Sequence, residues 1–282
     1  MPALFMITAS LLWGASFLFI KIALQDIHAT AFLFFRFSVA TLSMLPGLAL
    51  YKLPFKQSTV IQGVKLGLLQ VGIMFLQTLG LKTISPSLSG FLTGFSIVFV
   101  LMIRFIVRRK LPSFVDILSS VSCLVGLALL THSFGLSWDP GTFYTLGCAF
   151  FVALYNHVLD DYTLASNTTV LTFIQQLTLA ATAGLLSLWP GNSIQLPTQA
   201  ATWGSILFCG IFCSSIAFWL QARSQQHLGA FKVSMILLLE PVFAAMLSYW
   251  ILGEQLYTQS YIGAAIIIGA ITMINLRLKA LK

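Results

Sequence analysis

Long apolar runs separated by short polar segments make up most of this chain, from its first residues to its last. A helix needs about 20 mostly apolar residues to cross the hydrocarbon core of a bilayer. Strands of membrane barrels instead alternate every second residue over about 10 residues, and these runs do not. The pattern therefore predicts an all-α integral membrane protein with about ten transmembrane helices. We place the spans near residues 3–23, 30–50, 61–81, 86–106, 113–131, 141–159, 169–189, 200–221, 231–250 and 257–277.

The composition supports a lipid-facing surface. Hydrophobic residues make up 58% of the 282 residues and charged residues only 8%, whereas a soluble domain carries about 25% charged residues. The four cysteines all fall inside apolar runs. Cys209 and Cys213 share a helix face, but no histidine or carboxylate lies near them in sequence to complete a metal site. We therefore expect packing cysteines, no metal site and no cofactor.

The basic residues lie between the apolar runs, as topology determinants do, so the net charge of +8 does not indicate nucleic-acid binding. If the amino terminus is cytoplasmic, eleven basic residues lie on the inner side and two, Lys21 and Lys82, on the outer side. The inner residues are Lys52, Lys56, Lys65, Arg104, Arg108, Arg109, Lys110, Arg223, Arg277, Lys279 and Lys282.

Four tryptophans fall at predicted outer helix ends, where aromatic rings favour the headgroup boundary. They are Trp138, Trp189, Trp203 and Trp250. Charge and tryptophans together predict a multi-pass protein of the plasma membrane, the inner membrane of a bacterium, with both termini cytoplasmic. We expect lipid to surround it, as a monomer or a weak homodimer.

Similar features recur in the two halves of the chain. Each half opens with a helix that carries an aromatic residue, Trp13 or Tyr155, and the fourth and ninth spans end in turns at matching places. We divide the chain into a first five-helix repeat, 1–135, and a second, 136–282. Because each repeat has an odd number of spans, the second enters the membrane upside down, as in secondary transporters. Such transporters bind substrate near the midplane between the repeats.

Three segments resemble the drug/metabolite transporter superfamily in its EamA family. Residues 11–17 (LLWGASF) resemble the first-helix signature, and residues 35–37 (FRF) the arginine motif of the second helix. Residues 239–245 (LEPVFAA), followed by 250–254 (WILGE), resemble the ninth-helix signature. The first repeat departs from the family pattern, since residues 107–109 (VRR) stand where the family has Gly-Glu.

This resemblance implies a 5+5 inverted repeat in which spans 1–4 and 6–9 surround a central cavity and spans 5 and 10 lie outside. It also implies transport of a small molecule, often outward. We expect no enzymatic activity, because the four histidines are scattered and no nucleophile–base spacing or metal pattern appears in the sequence. We expect an exporter of small metabolites, with amino acids or related amines favoured. The alternatives are an exporter of amphiphilic drugs or sugars, a channel and an intramembrane enzyme.

Glu240 and Arg36 are the clearest candidates for substrate binding or coupling, because an ionisable group in the bilayer costs about 2.5–3.5 kcal/mol on insertion scales. Glu240 lies near the middle of the ninth span, before Pro241, which predicts a hinge. Its carboxyl group could exchange protons or pair with a substrate ammonium, or pack as a structural residue. Arg36 could hold a substrate carboxylate, so that the pair brackets a zwitterion, or it could satisfy helix ends.

Four uncharged or weakly basic residues complete the candidate set. Trp13 lies at mid-membrane depth and could offer a ring face to an apolar or cationic substrate, or pack between helices. Gln70 is predicted to line the cavity. Asn156 and His157 are placed about one turn from the inner end of the sixth span, where His157 could relay protons or sit at the interface. Protons or another ion are the expected coupling partner.

Overall fold

The computed structural model describes residues 1–109, 111–131, 139–188, 194–252 and 257–280, and the regular structure in these ranges is helical. The helices are α1 (Pro2–Ala23), α2 (Ala29–Tyr51), α3 (Gln57–Gly80), α4 (Pro86–Gly94), α5 (Ser96–Arg108), α6 (Phe114–Thr131), α7 (Pro140–Ala165), α8 (Thr168–Ser187), α9 (Ala200–Phe208), a π-helical segment (Cys209–Ile216), α10 (Ala217–Leu228), α11 (Ala230–Leu237), α12 (Glu240–Leu252) and α13 (Thr258–Ala280).

Nine helical stretches among the described residues are long and apolar enough to cross a bilayer, and a shorter apolar helix, Thr258–Ile274, follows them. The first three spans are α1 to α3, the fourth comprises α4 and α5, and the fifth, sixth and seventh are α6 to α8. The eighth comprises α9, the π-helical segment and α10, the ninth α11 and α12, and the tenth is α13. The predicted all-α membrane architecture is confirmed.

Several predictions concern residues outside the described ranges. These residues are Lys110, Trp138, Trp189, Gly253, Glu254 and Lys282. The proposed repeat boundary between residues 135 and 136 also lies there, so the division of the chain at that position stays a prediction.

The fourth and ninth spans are both interrupted near their middles. The fourth breaks at Phe95, where the sequence predicts one continuous helix, and the ninth breaks at Leu238 and Leu239. Pro241 explains the second break, because proline has no N–H to donate to the carbonyl of Leu237. The breaks occupy the same position in each half of the chain. Interrupted spans of this kind form the binding sites of many transporters.

The eighth span contains the π-helical segment Cys209–Ile216 at its centre. A π-helical turn leaves backbone carbonyls out of line with the ordinary helical donors, and such turns occur frequently at functional sites. Here side chains from other spans take up two of these oxygens. The indole Nε1 of Trp13 donates to the carbonyl of Cys213 over 2.8 Å, and Nε2 of Gln176 donates to the carbonyl of Ser214 over 3.3 Å.

The sixth and eighth spans are longer than the hydropathy pattern predicts. Helix α7 ends at Ala165 rather than near residue 159, and α10 continues to Leu228 rather than 221. A turn at Gly229, with φ of 75°, then leads into α11. The prediction that Asn156 lies about one turn from the helix end is therefore wrong. Nine residues separate it from Ala165, which is about 14 Å along the helix.

The packing of the spans follows a twofold pattern. The first span packs against the eighth and ninth, as the sixth packs against the third and fourth. The second and seventh spans pack on each other, as do the fifth and tenth. Exchanging each span with the one five places later leaves these packing partners unchanged. Because each repeat contains five spans, an odd number, the second repeat crosses the membrane in the opposite direction to the first. The predicted 5+5 inverted repeat is confirmed, and spans of the two halves interleave.

Glycines allow some of these spans to approach closely. A Cβ atom on Gly126 of α6 would lie 2.8 Å from the carbonyl oxygen of Gly263 of α13. Gly63 and Gly67, which form a small-residue motif on α3, face Ile174 and Thr178 of α8. Small residues bring helix backbones together in this way in membranes, where packing replaces the hydrophobic effect.

Candidate functional site

A cavity lies where the middles of seven spans meet, with about 480 Å³ of empty space when its open mouth is included. The first four spans, the sixth, the eighth and the ninth contribute to its wall, and no described residue of the fifth or tenth span does. The lining residues are Trp13, Ser16, Arg36, Ile73, Met74, Gln77, Thr93, Val152, Tyr155, Asn156, Phe218, Gln221, Leu237 and Glu240. The structure thus brings Glu240, Arg36, Trp13 and Asn156 together around one space.

Glu240 is the first residue of α12, directly after the break in the ninth span. Ten residues separate it from Ala230 and twelve from Leu252, so it lies at mid-span. Its side chain is 7% exposed, and no described residue gives the carboxyl group a hydrogen bond or an ion pair. Glu240 is therefore a buried acid that faces the cavity. Its position at the N-terminus of α12 favours the charged carboxylate through the helix dipole.

The first span lies against the start of α12, just after this break, through Gly14. A Cβ atom on Gly14 would lie 2.7 Å from the carbonyl oxygen of Glu240 and 3.0 Å from the backbone nitrogen of Ala244. Only a residue without a side chain permits this approach. Gly14 therefore sets the distance between α1 and the start of α12.

Arg36 lies seven residues from the start of α2 and is 1% exposed. Its Nε donates to Oγ of Ser214 in the π-helical segment over 2.8 Å. Its guanidinium lies 5.1 Å from the ring centre of Phe37, and its Nη1 has no hydrogen-bond partner. Arg36 and Glu240 line the same cavity without forming an ion pair.

Trp13, Phe218 and Tyr155 form one side of the cavity, which we name the aromatic wall. The ring centres of Trp13 and Phe218 are 4.9 Å apart at 60°, and those of Tyr155 and Phe218 are 6.2 Å apart at 83°. The hydroxyl of Tyr155 donates to Oε1 of Gln175 over 2.8 Å. These edge-to-face pairs stabilise the wall beyond its buried area.

Asn156 is fully buried and connects three helices. Its Nδ2 donates to Oγ of Ser234 in α11 over 2.9 Å, and its Oδ1 accepts from Nε2 of Gln221 in α10 over 2.8 Å. Its backbone carbonyl accepts from Nε2 of Gln225. We name these four residues the Asn156 network. Because both polar ends of the Asn156 side chain have partners, the residue ties α7 to α10 and α11 at the cavity edge.

His157 does not line the cavity. It borders a second pocket of about 710 Å³, with Arg104, Asp160 and the turn at residues 228–232. Neighbouring residues of α7 thus face different spaces, with Asn156 at the cavity and His157 at the second pocket.

Gln70 is not a lining residue either. It is fully buried, and neither its Oε1 nor its Nε2 has a partner. Gln77, seven residues later on α3, lines the cavity instead. Gln70 and Gln77 share a helix face, but the space opens only beside Gln77.

Sequence reasoning did not identify Phe218, Gln221, Thr93 or Tyr155 as cavity residues. Gln221 stood at the predicted end of the eighth span, and only the longer α10 places it inside. Aromatic residues are common in apolar helices, so no local signal separates Phe218 from a packing residue. Tyr155 was the exception, because it is the aromatic residue of the first helix in the second half and so corresponds to Trp13 in the first half.

The site holds one carboxyl group, one guanidinium, several amides and an aromatic wall in the middle of the spans. Within the described ranges, no group of three or more histidine, cysteine or acidic side chains could hold a metal ion. A mid-membrane cavity bounded by two interrupted spans in an inverted repeat is the architecture of a membrane transporter of small molecules.

Comparisons with known proteins agree with this class. The model of the EamA-like transporter family matches residues 1–132 and 139–276. The chain belongs to the EamA-like transporter family. It is 28% identical to an uncharacterized transporter of Archaeoglobus fulgidus over 269 residues, which cover 95% of this chain and 83% of that protein.

A solved crystal structure of a protein has the same fold, with a TM-score of 0.82 at 16% sequence identity. The match covers 100% of this chain and 98% of that one.

Proposed function

We propose that the protein is a secondary-active exporter of small metabolites, with amino acids or related amines as its substrates. It works by alternating access, with protons or another ion as the coupling partner. It lies in the plasma membrane with both termini in the cytoplasm. One observation carries the proposal: Glu240, an acid to which no residue in the described part of the chain gives a hydrogen bond or an ion pair, faces a mid-membrane cavity that Arg36 also lines.

The physical argument concerns buried charge. A carboxyl group in the middle of a bilayer is costly unless it is paired or takes up a proton. Glu240 can gain a partner in two ways, by binding a substrate ammonium or by exchanging a proton. Either event couples binding in the cavity to the charge of Glu240. Glu240 directly follows the break in the ninth span at Leu238 and Leu239. The break supplies the place at which the span changes shape.

Transport in proteoliposomes tests the proposal. We expect saturable uptake of amino acids or amines by the wild-type protein, with a dependence on pH. In Glu240→Gln, we expect normal insertion and at least a ~100-fold loss of net transport, since one buried charged contact contributes about 3–5 kcal/mol when its partner is removed.

Asp116→Asn is the matched control, because Asp116 pairs with Arg104 at 3.8 Å and does not line the cavity. Wild-type transport and unchanged pH dependence in Glu240→Gln, with normal insertion, would show that Glu240 is a packing residue. Ion currents without saturation would indicate a channel instead.

The aromatic wall favours a second candidate, an exporter of amphiphilic organic drugs. Trp13, Phe218 and Tyr155 offer ring surface on which a large apolar molecule can rest. Competition between a drug cation and an amino acid for uptake separates the two candidates, because the preferred substrate displaces the other at lower concentration.

A further inference from the structure

We propose that this cavity recognises the ammonium end and the apolar body of its substrate and does not depend on a substrate carboxylate. The substrate class is then primary amines that carry an aromatic or other large apolar group. This inference rests on the proposed transport function and narrows its substrates. It also assigns Arg36 to bracing the helices rather than to holding substrate.

The surroundings of Glu240 and Arg36 support recognition of a substrate ammonium group rather than a substrate carboxylate. Glu240 is 7% exposed and has no hydrogen-bond or ion-pair partner among the described residues, whereas Arg36 is 1% exposed, its Nε bonds Ser214, and its Nη1 is buried. A substrate can therefore reach the carboxyl group of Glu240 without displacing an existing hydrogen bond, whereas Nε of Arg36 is already bonded to Ser214. Since a carboxylate prefers a positively charged donor, an ammonium group is the complementary ligand.

The contacts of Arg36 explain its low exposure. Its Nε bonds Ser214 of the π-helical segment, and its guanidinium lies over Phe37 of its own helix. Beside this bond, a Cβ atom on Gly210 would lie 2.8 Å from the backbone carbonyl oxygen of Arg36, so α2 and the π-helical segment touch at the backbone. Ser214 also receives Gln176 of α8 at its carbonyl. Arg36 thus acts as a brace between the second and eighth spans.

The aromatic wall supplies the surface for the apolar body. The polar tips of two of its residues are bonded to protein groups, since Trp13 donates to the carbonyl of Cys213 and Tyr155 donates to Gln175. A ligand in the cavity can therefore contact the aromatic rings of these residues but not their polar groups. Ring faces attract a cation within about 6 Å and cover apolar groups. Ile73, Met74 and Leu237 extend the apolar lining.

A series of four ligands tests the inference on the wild-type protein in lipid nanodiscs, with affinity measured by calorimetry. The ligands are phenethylamine, phenylalanine, 3-phenylpropanoate and ethylamine. We expect phenethylamine to bind at least as tightly as phenylalanine and about tenfold or more tighter than ethylamine, since a ring contact adds roughly 1 kcal/mol or more. We expect no binding of 3-phenylpropanoate.

The outcomes separate the inference from the function on which it rests. If phenylalanine binds tenfold or more tighter than phenethylamine, or if 3-phenylpropanoate binds as tightly as either, the carboxylate is recognised and the inference is overturned while the proposed function stands. If ethylamine binds as tightly as phenethylamine, the aromatic wall does not select substrate and the inference is likewise overturned. If neither amines nor amino acids bind, both proposals fail.

Phe218→Leu tests the wall itself. We expect it to weaken phenethylamine binding about fivefold and to leave ethylamine unchanged, because only the larger ligand reaches the ring. Phe208→Leu is the matched control in the same span. The ring centres of Phe208 and Phe19 are 4.4 Å apart, and Phe208 does not line the cavity. The Phe208→Leu protein should therefore bind phenethylamine with the affinity of wild type. Equal losses in both variants would overturn a role for the wall.

Discussion

Glu240 and Gln70 are both polar side chains buried among apolar helices, yet their surroundings differ. The carboxyl group of Glu240 faces the cavity, where a ligand or proton can reach it. Gln70 is 0% exposed, and both polar atoms of its amide lack a partner. A buried polar group without a hydrogen bond costs about 1–3 kcal/mol. At the residue scale, Glu240 borders space that a ligand can occupy, whereas Gln70 does not line that cavity.

Replacing Gln70 with leucine should therefore stabilise the protein. We expect Gln70→Leu to raise the thermal midpoint, since it removes a desolvation cost of about 1–3 kcal/mol, and to retain transport. Gln77→Leu, on the same helix face but inside the cavity, should lower substrate affinity. Loss of transport in a folded, stabilised Gln70→Leu protein would instead support the sequence-based prediction that Gln70 serves the substrate pathway.

Three of the spans that meet at the cavity are not regular α-helices. The fourth and ninth spans break at mid-depth, and the eighth contains a π-helical segment. At the element scale, each irregularity leaves backbone groups that need new partners. Side chains of Trp13 and Gln176 supply them in the eighth span. The first turn of α12, which follows the break in the ninth span, lies against Gly14 of the first span.

Gly14 offers a direct test of this close approach. In Gly14→Ala, the added methyl group would meet the carbonyl oxygen of Glu240 at 2.7 Å, and overpacking of this kind costs about 1–3 kcal/mol. We expect a lower thermal midpoint and weaker substrate binding, both measured in detergent. Gly204→Ala in α9 is the control, because no atom lies within 4 Å of its added methyl group. Equal behaviour of the two variants would contradict the packing argument.

Two polar clasps link the halves of the whole molecule at opposite ends. Asp26, between α1 and α2, accepts hydrogen bonds from the backbone nitrogens of Thr198 at 2.9 Å and Gln199 at 3.1 Å, and from the hydroxyl of Thr198. Ser166, between α7 and α8, contacts Thr59 at 3.0 Å and Gln62 at 2.6 Å, just inside α3. The twofold exchange of spans relates these clasps, but only Asp26 can titrate.

The clasps differ in their expected response to pH. Hydrogen bonding from Thr198 lowers the pKa of Asp26 to about 2, from about 3.9 in an unfolded chain. A depressed carboxyl pKa stabilises the fold above the unfolded value, and this stabilisation disappears as the pH falls through the folded value. Asp26→Asn should therefore lower the thermal midpoint at pH 7, and the difference from wild type should shrink between about pH 4 and pH 2.

Ser166→Ala is the control for the clasp that does not titrate. Its effect on the thermal midpoint should be the same at each pH. If the Asp26→Asn difference is likewise constant down to pH 2, the carboxylate of Asp26 does not hold the clasp with Thr198 and Gln199.

The orientation of the molecule in the membrane is a separate prediction. It depends on the eleven-to-two bias of basic residues and on the placement of the tryptophans. Reporter domains fused after residue 282 and within residues 135–140 should read as cytoplasmic and external, respectively. An external reading of the carboxy-terminal fusion would reverse the topology, and with it the proposed direction of export.

Much of this architecture follows from sequence alone. The thickness of the bilayer requires spans of about 20 apolar residues, so their number and spacing are visible without a structure. The odd number of spans per half determines the inversion of the repeat. Glu240 and Arg36 were identifiable as candidates because charge in lipid is costly wherever the helices happen to pack.

Tertiary structure decided which polar residues share the cavity. Gln70 and Gln77 have the same residue type and the same helix face, and only the packing of neighbouring spans places free space beside Gln77. The aromatic wall combines Trp13, Tyr155 and Phe218 from three spans distant in sequence. Local sequence reports depth and periodicity along one helix. It does not report which other helix lies opposite, because that depends on how all the spans pack together.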